Sequence, residues 1–193
     1  MNTKTVRNLL GIGLPVATLT VGLIPYLANR SELPSRVAAH FTTSGAADGS
    51  LSLTAMLIVT GVLWFVGSAI CAAVAFGRFT MDDYTPPVAA FGGAFVAALG
   101  AVLLLHTSIE QRGVADWQLV SVGWATILLI LLASLGVGTI GAALGQRLPF
   151  VAAVADDDIA LTMELSPGQH VVWVKTMTQR WVAVLMLRRR NVI

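Results

Sequence analysis

Three histidines, one cysteine and a scatter of carboxylates are the side chains of this sequence that could do chemistry. His40, His106 and His170 stand far apart, and no spacing among them, Cys71 and the carboxylates matches a structural or catalytic metal site. No pair of histidines suits haem ligation, and neither a phosphate loop nor a nucleophile elbow is present. No cofactor and no metal are implied, no catalytic residue is assigned, and a non-enzymatic role is expected. Cys71 lies inside an apolar run, where a thiol packs as a small hydrophobe. His106 falls at the outer end of an apolar segment and is expected to make a hydrogen bond that caps a helix bundle. His170 sits beside a turn.

His40 is the histidine with the strongest context. It belongs to the stretch 33–49, LPSRVAAHFTTSGAADG. Pro34 biases Leu33 to extended backbone. Val37, Ala39 and Phe41 alternate with Ala38 and His40 in a strand-like pattern. Gly45 and Asp48-Gly49 are expected to reverse the chain. Glu32, Asp48 and Asp116 are carboxylates expected on the same side. A contact between His40 and one of them would pin the loop; a metal or ligand contact and a pH-responsive contact are the other uses of a histidine here. Pro34, His40, Phe41, Gly45, Asp48 and Gly49 are the expected loop-structural or partner-contact residues.

The elements that hold this stretch are apolar. Of 193 residues, 56% are hydrophobic and only 11% charged, against about 25% charged in soluble domains. Mean hydropathy is +0.79. A net charge of +2 with scattered basic residues does not suit nucleic acid. Four runs are long enough for a bilayer core, which takes about 20 residues of helix: 9–27, 51–76, 87–107 and 119–145. None carries a charge at its middle, where a transporter or proton channel would. The first has a basic start and a long core but a poor cleavage site at Tyr26-Leu27-Ala28, so an uncleaved helix is expected. Pro15 and Pro25 are expected to bend or end it locally.

The expected fold is therefore an all-α integral membrane protein. Residues 1–145 form a four-transmembrane-helix bundle whose loop, 28–50, makes a short extracytoplasmic strand and turn cap. Small residues recur at four-residue spacing in the third and fourth spans, and Ala94, Ala98, Gly138 and Ala142 are the expected sites of close helix approach. Lys4, Arg7, Arg78 and Arg147 flank one side, joined by the basic tail; Arg30, Arg36 and Arg112 flank the other. Both termini are expected on the cytoplasmic side.

Residues 146–193 differ in character. Asp156, Asp157 and Asp158 form an acidic linker. Alternation from Ile159 to Leu165, the turn Ser166-Pro167-Gly168-Gln169, and runs over 171–177 and 181–187 read as a short cytoplasmic β-meander. The last run has a second reading. Followed by Arg188, Arg189 and Arg190, it could seat the tail on anionic headgroups as a membrane-surface segment.

Leu33-Pro34, the run into His40-Phe41, Gly45 and Asp48-Gly49 resemble the signature of an uncharacterised bacterial membrane-domain family. That family is related to the amino-terminal module of SdpI-type immunity proteins. The resemblance covers roughly the first seventy residues and implies a bacterial plasma-membrane protein. The immunity proteins protect a cell from a secreted toxin and can act as its membrane receptor. They have more spans than the four here. Leu165 to Gln169 followed by Val172-Trp173 resembles the opening of a bacterial pleckstrin-like fold. Two functions are expected: a non-catalytic accessory subunit of a larger respiratory or cell-envelope membrane complex, or an SdpI-like receptor for an extracellular toxin or peptide. Membrane lipid and other integral membrane proteins are the expected partners, not nucleic acid.

Overall fold

The computed structural model of the chain divides into two compact units, Met1–Val154 and Ala155–Ile193. It describes residues 1–77 and 85–149, all in the first unit. The expected β-meander, Arg188, Arg189, Arg190 and Arg78 lie outside the described residues.

Four helices are long and apolar enough to cross a membrane. The first is composite: helix α1 (Thr3–Asn8), a π-helical turn (Leu9–Gly13), helix α2 (Leu14–Asn29) and a 3-10 turn (Arg30–Glu32). It begins earlier than the expected 9–27 because Asn2 caps it, its side chain accepting from the Lys4 N–H at 3.0 Å. The π turn lies just before Pro15, whose missing N–H breaks the regular ladder. The Pro15 carbonyl accepts from Trp64 Nε1 at 3.0 Å. Pro25 stands inside α2 without ending it.

Helix α3 (Leu53–Phe76) starts two residues later than the expected 51, because Leu51 and Ser52 belong to a strand. Ser52 is its N-cap, accepting from the Ala55 N–H at 3.1 Å. Helix α4 (Thr85–Glu110) exceeds the expected 87–107 at both ends, with Pro86 and Pro87 in its first turn, where proline costs no hydrogen bond. Helix α5 (Trp124–Gly145) starts five residues after the expected 119. Trp117–Leu119 is a separate 3-10 turn, and Ser121 forms a bridge with Ala46.

Helix α4 is the hub, packed by α2, α3 and α5. Ala90, Gly93, Ala94, Ala97, Ala98, Gly100 and Ala101 are all buried on it, so its neighbours approach its backbone closely. A Cβ on Gly100 would stand 2.6 Å from the Thr60 carbonyl oxygen; one on Gly22 would stand 2.7 Å from that of Ala101. On α5 the buried face is Ser134, Gly138, Gly141 and Gly145. Ala142, expected in that stripe, is half-buried, because 3.6 residues per turn carries the contact line to Gly141 instead.

Away from α4 the helices present Val16, Ile24, Ile58, Phe65, Leu129, Leu132 and Ile140 to the exterior. At one end of the bundle an apolar core gathers Val6, Leu10, Cys71, Ala75, Ala90, Ala94 and Leu148. The other end carries a β-hairpin, β1 (Arg36–Phe41) and β2 (Ala47–Ser52), paired antiparallel.

Candidate functional site

The hairpin and the α4–α5 connection build a polar cap where α2 and α4 end and α3 and α5 begin. Its register runs Arg36 to Ser52, Val37 to Leu51 and Ala38 to Ser50, then shifts on both sides of the pair of His40 and Gly49. Asp48-Gly49, expected as a reversal, lies within β2. The reversal falls instead over 42–46, where Gly45 adopts φ +87° and its N–H donates to the Thr42 carbonyl at 2.9 Å. The shift that leaves Asp48 without an opposite residue brings its Oδ1 within 2.6 Å of His40 Nδ1. Both side chains are open to solvent, 76% and 41% exposed. Phe41, opposite Ala47, is half-buried. Gly49 faces His40 so closely that a Cβ would stand 2.9 Å from the histidine Cβ.

What fixes this hairpin to the bundle had no local signal. Gln111, the residue after α4, is 1% exposed. Its Oε1 accepts from the Ala38 N–H at 2.7 Å, and its Nε2 donates to the Ala38 carbonyl at 2.9 Å. The side-chain amide thus stands where a neighbouring strand's peptide group would, on the edge of β1 away from β2.

Further ties follow around it. Arg112 donates Nε and Nη2 to the two Glu32 carboxylate oxygens at 2.7 and 2.9 Å, a forked pair. The hydrogen bond to Glu32 raises the Arg112 pKa further above its ordinary value. Gly113 N–H donates to the Glu32 carbonyl at 2.9 Å, and Asn29 Nδ2 to that of Ser108 at 3.1 Å. At the hairpin tip, Val122 N–H donates to the Gly45 carbonyl at 2.8 Å, and Ala47 N–H to that of Val120 at 3.2 Å.

Between these ties lies an open cleft of about 400 Å³. One wall is 31–36, including Pro34 and Arg36; the other is Gly113, Val114, Ala115 and Trp117. The other described histidine, His106, departs from expectation. Its Nε2 is buried with no hydrogen-bond partner among the described residues, so the expected capping bond is not made there. It stands within the last two turns of α4, and Gln111, just past the helix, makes the hairpin contact instead. Among the described residues no group of three His, Cys, Asp or Glu is placed to hold a metal ion.

Comparison of the chain with protein-family models, curated proteins and solved structures finds no match. The cap geometry is therefore what a functional reading must stand on. It offers an open cleft, backbone polarity, the exposed Glu32–Arg112 ion pair and the exposed His40–Asp48 contact.

Proposed function

We propose that this chain is a non-catalytic, multi-pass accessory subunit of a larger bacterial membrane complex, of the respiratory or cell-envelope kind. The observation that carries this reading is the cap. A fully buried glutamine fixes a short hairpin to the bundle, and a long-range forked ion pair ties the chain just before it, around an open cleft. A surface stiffened in this way loses little entropy on binding. The apolar exterior supports insertion in the plasma membrane. The flanking basic residues support an extracytoplasmic cap and cytoplasmic termini.

Affinity purification of the tagged chain in mild detergent tests the reading. Partner chains in fixed ratio are expected. A chain that runs alone, as a monomer or homodimer, would falsify it.

A second reading is an SdpI-like immunity or sensing receptor for an extracellular toxin or peptide. It is favoured by one observation: Leu33 and Pro34, which carry that resemblance, line the cleft. Deleting the gene and challenging the cells with toxin-producing neighbours decides it. Unchanged sensitivity removes the receptor.

A further inference from the structure

The cleft has a property that its lining residues alone do not convey. In an antiparallel ladder, residues whose N–H and C=O face the partner strand alternate with residues whose groups face away. Ala38 directs both groups to Gln111, away from β2. Over 36–38 the register is regular. Arg36, two residues earlier, therefore directs its own N–H and C=O to the same outer edge. Neither takes a protein partner among the described residues. Arg36 also lines the cleft, and the opposite wall, 113–115 with Trp117, begins two residues after Gln111. The cleft thus continues the strand edge whose first rung Gln111 already occupies.

Charge adds direction. Glu32 and Arg36 are the charged residues of the lining. Glu32 is neutralised by Arg112. Asp116, beside the far wall, turns its carboxylate to the Gln118 N–H at 3.0 Å. Arg36 donates Nε to Ser50 Oγ at 3.0 Å and Nη2 to the Ser50 carbonyl at 3.5 Å, which leaves guanidinium donors open. The site therefore pairs an exposed backbone rung with a positive charge that no carboxylate of the described residues compensates.

We infer that the cleft seats an extended segment of a partner polypeptide, which adds beside β1 at Arg36 and sets a carboxylate against its guanidinium. Strand addition of this kind draws affinity from main-chain hydrogen bonds and selectivity from flanking side chains. The inference rests on the accessory-subunit reading and gives that reading its contact point.

The test places a photo-crosslinking amino acid, p-benzoylphenylalanine, at Trp117, where an aromatic side chain already lines the cleft, in the tagged full-length chain, expressed in its native cells. Ser44, exposed at the hairpin tip, is the control position. Irradiation should join position 117, not 44, to a partner polypeptide, within an acidic segment outside its membrane helices. Arg36→Gln should cut the yield about tenfold, as loss of a charge-assisted hydrogen bond implies. Ala115→Trp, which fills the cleft and leaves the Gln111 clamp alone, should release the same partner at an unchanged melting temperature. An adduct to lipid or to a membrane helix overturns the inference, as does an adduct indifferent to Arg36→Gln, or none. If partners still co-purify in those cases, the subunit reading survives without this cleft. If the wild-type chain purifies alone, both fall.

Discussion

Gln111 is the residue on which the cap depends most. It satisfies two buried backbone groups at once, and leaving a buried polar group unpaired costs about 1–3 kcal/mol. Gln111→Ala should therefore destabilise the folded chain by about 2–4 kcal/mol, read as a lowered melting temperature in nanodiscs. Hydrogen exchange should quicken at Ala38 before it quickens in α4. Gln111→Glu is the finer probe. At neutral pH its carboxylate can accept from the Ala38 N–H but cannot donate to the carbonyl, whereas the protonated acid can do both. Its deficit should shrink on acidification, while that of Gln111→Ala should not. A pH-independent Gln111→Glu deficit would mean that the amide donor contributes nothing. None of this was legible in the sequence. Gln111 and Ala38 are 73 residues apart, and Glu32 and Arg112 are 80 apart; no local pattern announces such pairs. The partner of His40 was legible as one of three carboxylates. Which one it is depends on a register shift that only the paired strands reveal.

Among the elements, the apolar runs marked out four helices, because their length and lack of charge leave little else for them to be. Their ends were less legible. Leu51-Ser52 and 119–123 are apolar enough to continue a helix, yet tertiary pairing in the cap takes Leu51-Ser52 and 120–123 as extended chain and leaves Leu119 in a 3-10 turn. Asp48-Gly49 has the composition of a turn and lies in a strand for the same reason, since pairing with His40 outweighs local preference. Close approach to α4 gives a sharp contrast between glycines. Gly22→Ala and Gly100→Ala place a methyl against a facing backbone and should cost about 1–3 kcal/mol. At Gly61 and Gly92 an added Cβ meets nothing within 4 Å, so alanine there should be neutral or slightly stabilising through helix propensity. Thermal unfolding of the four variants in one detergent checks this; equal losses would mean that these approaches do not limit the fold. Trp64→Phe should cost about 1 kcal/mol by removing the donor to the Pro15 carbonyl beside the π turn.

At the largest scale, that of the whole described unit, an apolar helix bundle carries a polar cap where the hairpin lies, and the proposed role follows from that cap. The sidedness can be measured directly, because Cys71 is buried and is the chain's one cysteine. Ser44→Cys should react with a membrane-impermeant maleimide in intact cells, while the unsubstituted chain should not; labelling only after lysis would reverse the assigned orientation. The small-residue faces suggested a bundle from sequence, but the central place of α4 became clear only once its neighbours were in contact. The account rests most heavily on the claim that the chain works as part of an assembly. The most direct measurement is the composition of the particle purified with the tagged, full-length chain from native membranes in mild detergent. Other integral membrane chains in constant stoichiometry, lost when the cleft is filled by Ala115→Trp, are the predicted result. A monodisperse particle containing this chain alone would contradict it.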